Sequence, residues 1–146
     1  MGPWALMRVV LDTNVLVSAL IYARGVPDEI YRAWRAHCFE LVTSTAQLEE
    51  LRRVSRYPKL RSILPPHRVG AMINNMRKAS VVDKLPDLSG HVALSDPDDL
   101  FLLSMVMAFD ADYLVTGDQR AGLQEMGCFQ RARIVTPSVF CMTVLS

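Results

Sequence analysis

The strongest constraint on the fold is a series of short apolar runs: Arg8-Val9-Val10-Leu11, Phe39-Glu40-Leu41-Val42-Thr43, Tyr113-Leu114-Val115-Thr116 and Arg133-Ile134-Val135-Thr136, with Ser80-Val81-Val82 as a further strand candidate. Each is too short for a helix and apolar on both faces, as buried strands are. Helical signals lie between them. Val15 to Ile21 reads as a buried helix, although periodicity alone does not separate it from a strand. Gly25-Val26-Pro27-Asp28-Glu29 places Pro and acids in a first helical turn, and that helix ends near His37. Ser44-x-x-Gln47 forms a capping box that opens a helix to about Arg56, where Tyr57-Pro58 breaks it. Pro65-Pro66 begins a helix through about Lys78, and Lys84 to Ser95 is a loop. Asp96-Pro97-Asp98-Asp99 opens an apolar helix to Phe109, and Pro137 starts a short terminal one. Strands alternating with helices predict an α/β domain whose parallel sheet is covered on both faces.

A chain of 146 residues, 51% hydrophobic and 21% charged, buries a core without metal or disulfide staples, which excludes disordered and low-complexity classes. Residues 1–7 are expected to be a flexible N-terminal extension, and 8–146 a single domain. Cys38, Cys128 and Cys141 contain no C-x-x-C and fit no closed disulfide framework. They are expected in a reducing cytoplasm as small core residues. His37, His67 and His91 lack zinc-ligand spacing. The longest apolar run, Leu100 to Phe109, falls short of the roughly 20 residues of a membrane span, so no membrane association is expected.

In parallel α/β sheets, ligands bind beyond the carboxyl ends of the strands. Asp12 and Asp118 follow the first strand and the strand Tyr113–Thr116; Asp96, Asp98 and Asp99 open the helix just upstream of the latter; Glu49 and Glu50 follow the second strand. Each has a plain structural alternative as a cap, turn or solvated residue. Together they place acids from four segments toward one edge. Two carboxylates 4 Å apart repel by about 4 kcal/mol at an effective dielectric near 20, so such a cluster calls for a cation. All-oxygen ligands suit Mg²⁺ or Mn²⁺. On the helix after the second strand, Leu48, Leu51 and Val54 mark the buried stripe. Glu50 lies at its border and Glu49 points away, so Glu50 is the better ligand candidate.

Four stretches resemble, in order, the motifs of PIN-domain ribonucleases, most closely the VapC-like toxins of toxin–antitoxin pairs. They are Val10-Leu11-Asp12-Thr13-Asn14-Val15, Gln47-Leu48-Glu49-Glu50-Leu51, Asp96-Pro97-Asp98-Asp99-Leu100-Phe101 and Leu114-Val115-Thr116-Gly117-Asp118; the terminal Ile134-Val135-Thr136-Pro137 also matches. The resemblance implies a three-layer α/β/α fold with a short parallel sheet, and hydrolysis of RNA phosphodiesters that leaves 5′-phosphate and 3′-hydroxyl ends. It maps the catalytic, metal-holding acids onto Asp12, Glu50, Asp98 and Asp118, with Asp99 and Asp96 as alternatives to Asp98. It gives Asn14 and Thr116 supporting hydrogen-bonding roles. It also implies a cognate antitoxin, which could insert an Arg into the acidic site, and a homodimer or higher homo-oligomer. Many members carry another Asp where this chain has Arg120, which leaves one or two metal ions open.

Between Leu51 and Lys78 there are eight Lys and Arg and no Asp or Glu. Arg52, Arg53, Arg56, Lys59 and Arg61 are the candidate RNA-binding residues, against the alternative of a solvated helical face. Two other readings compete with the nuclease. One is a non-catalytic module that binds RNA or protein. The other is a phosphoryl-transfer domain with Asp12 as acceptor, although Asn14 stands where a dehalogenase-like D-x-D site wants its second acid.

Overall fold

A computed structural model of the protein describes residues 6–90, 96–117 and 121–145. The chain runs β1 (Arg8–Leu11), α1 (Thr13–Ile21), α2 (Val26–Arg35), β2 (Glu40–Ser44), α3 (Thr45–Val54), α4 (Pro58–Arg61), α5 (Pro66–Met76) and β3 (Ser80–Val82). It continues through α6 (Pro97–Phe109), β4 (Tyr113–Val115), α7 (Ala121–Met126), β5 (Cys128–Phe129), β6 (Ala132–Val135) and α8 (Pro137–Phe140), then a π-helical turn, Cys141–Leu145. Among the described residues the sheet order is β3-β2-β1-β4-β6-β5. Every pairing is parallel except β5 with β6.

Side chains alternate across the sheet with period two. Val9, Leu11, Leu41 and Val115 enter a core shared with α1, α2, α3 and α5. Val10, Val42, Leu114 and Ile134 enter a second core shared with α6 and Leu123 of α7. The strands are apolar throughout because both faces are covered, which produces the three layers. Aligned register between β1, β2 and β4 then sets Asp12, Ser44 and Thr116 side by side at one carboxyl edge.

The helix α6 ends at Asp110, whose left-handed conformation (φ 51) turns the chain sharply into β4. Because α6 feeds β4 through this short turn, it runs antiparallel to the strand. Its N-terminus therefore stands at the same carboxyl edge as Asp12.

Two expectations are corrected. Cys38 and Cys128 are exposed and Cys141 is only half-buried. Cys38 lies in the turn after α2 and Cys128 in an edge strand, so neither backbone position faces a core. The break at Tyr57-Pro58 is observed, α3 ending at Val54, and Pro58 also opens the short α4. The sheet is not wholly parallel, since β5 folds back on β6 through a tight turn with Gln130 in the left-handed region (φ 53). Among the described residues no helix is long and apolar enough to cross a membrane.

Candidate functional site

Asp12 leaves β1 and caps α1, and it is 1% exposed. A capping aspartate usually stands in water; this one is enclosed because β1 is central, between β2 and β4. Its Oδ1 accepts the backbone N–H of Asn14 at 3.1 Å, and its Oδ2 accepts the Thr116 hydroxyl at 2.7 Å. Thr116 comes from the neighbouring strand end, so two elements clamp one carboxylate. The Asn14 contact is made by the main chain, while the residue itself is exposed. It therefore orients Asp12 whatever side chain position 14 carries.

The same edge holds a buried polar network that the sequence reading missed. Ser44 Oγ accepts Gln47 N–H at 3.0 Å, one half of the capping box. The Gln47 side chain does not return to Ser44. It is 0% exposed and reaches across the strands: Nε2 donates to Leu11 O at 2.6 Å and to Thr13 Oγ1 at 3.4 Å. Its Oε1 accepts the Thr43 hydroxyl at 2.5 Å. Thr13 Oγ1 in turn donates to Glu50 Oε1. With Gln47 donating to Thr13, the Thr13 proton is free to point at Glu50, so the carboxylate is aimed through the chain Gln47–Thr13–Glu50. Glu49 is exposed on the other side of α3. Gln47 was legible in sequence only as a cap partner, because its real acceptor lies on a strand 36 residues earlier.

At the N-terminus of α6 the three aspartates separate by environment. Asp96 is the N-cap, and its Oδ1 accepts Asp98 N–H at 2.8 Å. Asp98 is exposed, whereas Asp99 is 6% exposed. The middle of α6 is pinned to the end of β2, since Ser44 Oγ donates to Met105 Sδ at 3.4 Å. Asp99 lies six residues up the helix from there, about 9 Å at 1.5 Å per residue. Asp118 and Arg120 lie outside the described residues.

These donors are all oxygen: carboxylates of Asp12, Glu50 and Asp99 and hydroxyls of Thr13 and Thr116. That set fits a hard divalent cation in chemistry and suits neither zinc nor copper. Among the described residues no three Asp, Glu, His or Cys side chains are gathered closely enough to hold a metal on their own. The thiol of Cys141 is pushed up to about 12 by burial and by its hydrogen bond to the Glu29 carboxylate, so it stays protonated at neutral pH.

Arg52, Arg53, Arg56, Lys59 and Arg61 are all exposed. Arg53 stands 4.0 Å from Glu50 on the next turn of α3. Tyr57, between Arg56 and Pro58, is 47% exposed.

No curated protein is significantly similar to the chain. Its fold matches a chain in the crystal structure of VapBC2 from Rickettsia felis bound to a DNA fragment from their promoter, with a TM-score of 0.55 and 18% identity. That match covers 89% of this chain and 98% of the other. A family model described as the PIN domain matches residues 8–120, a span that holds β1, the Gln47–Glu50 helix, the acidic start of α6 and β4. The chain therefore belongs to the PIN-domain family.

Proposed function

We propose that the protein is a ribonuclease of the cytoplasm, dependent on Mg²⁺ or Mn²⁺, and the toxin of a toxin–antitoxin pair. The observation that carries this reading is Asp12: a carboxylate held at the carboxyl end of the central strand, nearly sealed from solvent and clamped by Asn14 N–H and Thr116. A structural cap needs neither the burial nor the second clamp. The likeness to VapBC2 supports an antitoxin as the partner; RNA as substrate and self-association rest on family membership.

Asp12 and Glu50 would hold the ion, joined by an acid from α6 and by Asp118. For the α6 acid we favour Asp99 over Asp98, because a ligand must be held by packing and only Asp99 is buried. The chemistry such an ion supplies is a water of lowered pKa and neutralisation of charge on the phosphate. The chain's own part is positioning. Thr116 and Asn14 N–H fix the angle of Asp12, Thr13 turns Glu50, and the packed start of α6 holds Asp99. Apart from Asp118, all these groups hang on elements whose registers are set by the two cores.

Cleavage of a labelled single-stranded RNA should require Mg²⁺ or Mn²⁺ and stop with EDTA. Asp12→Asn should lower kcat by about 10³, the scale of several kcal/mol of lost charge stabilisation. Asp99→Asn should cost far more activity than Asp98→Asn. Cleavage that persists in both EDTA and Asp12→Asn removes this site from the reaction. Binding of RNA with no cleavage under any condition supports the non-catalytic module, and acetyl phosphate labelling of Asp12 supports phosphoryl transfer.

A further inference from the structure

Between α3, α4 and α5 lies a cavity of about 420 Å³ that, among the described residues, includes none of the proposed metal-holding acids. Its volume falls within the range of small-molecule sites, about 300–1,000 Å³. Two elements bring three guanidinium groups to it: Arg52 and Arg56 stand on and just beyond α3, and Arg61 ends α4. The opposite wall is apolar, built from Leu64 and from Val69 and Ile73 of α5, all buried. Among the described residues no carboxylate lines it and none pairs with Arg52, Arg56 or Arg61. Arg53 and Lys59, their neighbours in sequence, do not line it.

Three like charges around one hollow repel one another, and a bound anion relieves that repulsion. An anion alone would use the guanidinium side and leave the apolar wall bare. A nucleotide uses both, setting a phosphate against the arginines and a flat ring against Val69 and Ile73. The location agrees. Arg56 follows Glu50 by six residues, about 9 Å were α3 continued. That is two to three nucleotides of stacked strand at about 3.4 Å each.

We propose that the cavity between α3, α4 and α5 is a subsite for one unstacked nucleotide of a single-stranded RNA, two to three nucleotides from the bond to be cut. The proposal rests on the nuclease reading for its substrate, but its test does not need cleavage.

The test is fluorescence anisotropy of a labelled oligouridylate in EDTA, with uridine monophosphate, inorganic phosphate, uridine and an oligoglutamate peptide as competitors. Arg56→Gln should weaken binding by about tenfold or more, the worth of a charge-assisted hydrogen bond. Gly70→Leu supplies an independent variant. Gly70 lines the cavity on α5, and a Cβ there meets nothing within 4 Å, so a side chain at this position starts from open space at the cavity wall. Replacing a mid-helix glycine should leave the urea midpoint unchanged or raised, while RNA binding falls by a similar factor. Uridine monophosphate should compete well, phosphate about tenfold less well and uridine weakly.

Unchanged RNA affinity in Gly70→Leu overturns the subsite. Equal competition by phosphate and the nucleotide reduces it to an anion site. Competition by oligoglutamate without competition by the nucleotide makes it a protein-docking site. RNA binding that depends on Gly70 and Arg56 in a chain that never cuts keeps the subsite and removes the nuclease. Metal-dependent cutting with binding indifferent to Gly70 does the reverse.

Discussion

The first half of α3 and the segment that follows it face opposite demands. Gln47 and Glu50 are drawn into a network of short hydrogen bonds with Leu11, Thr13 and Thr43, and Gln47 is wholly buried. Arg52, Arg56 and Arg61 stand exposed around an open cavity that no acid among the described residues lines. One region fixes atoms and the other gathers charge. A buried carboxylate works only if each oxygen has its partner, because an unmet polar group in a dry site costs about 1–3 kcal/mol. Exposed guanidinium groups need no such order; their attraction for phosphate acts over several ångströms and tolerates motion. Changes in the first region should therefore alter folding and chemistry together, and changes in the second should alter binding alone.

The greatest change is expected at Gln47. Gln47→Leu keeps the volume but strands Leu11 O and the Thr43 hydroxyl, and it releases Thr13. We expect a loss of about 3 kcal/mol in urea unfolding, roughly a hundredfold in the folding equilibrium, together with weaker Mn²⁺ binding by calorimetry. A Gln47→Leu protein as stable as wild type would mean that the network is ornamental.

Salt gives the next largest effect and addresses the second region. If the three arginines hold the phosphate of that one nucleotide, raising salt from 50 to 200 mM should weaken RNA binding by about threefold on their account, from a slope near −0.7 per phosphate on a logarithmic plot. Urea stability over the same range should hardly move. A flat salt response would leave these arginines as a solvated face.

The smallest effect is expected at the seam. Arg53 stands 4.0 Å from Glu50, and its side chain is largely exposed. Arg53→Gln should change stability by less than about 0.5 kcal/mol, since exposed pairs of this kind contribute little. A larger loss would show that the two regions are energetically joined.

Much of the sheet was legible because a strand buried on both faces must be apolar along its whole length. Val9, Val10, Leu41, Val42, Leu114 and Val115 satisfy that demand, and the runs they belong to are observed strands. The helix starts at Pro27 and Pro97 were legible for an equally local reason, as Pro and acids favour a first turn. The short pieces were not. The two-residue strand β5 and the four-residue α4 carry no period to read. Cys38 and Cys128 were expected inside because cysteine usually is, but burial is a property of the place, not of the residue type.

At the edge of the sheet the division is sharper. Which segments end in acids can be read along the residues in order, and helical angle alone separated Glu50 from Glu49. It took the folded arrangement to set Thr116 against Asp12, to draw Gln47 from its cap to Leu11 O, and to bury Asp99 rather than Asp98. The difference is one of range. Propensity, capping and periodicity act within a few residues, whereas a hydrogen bond between strand ends depends on the order and register of strands that long stretches of chain bring together.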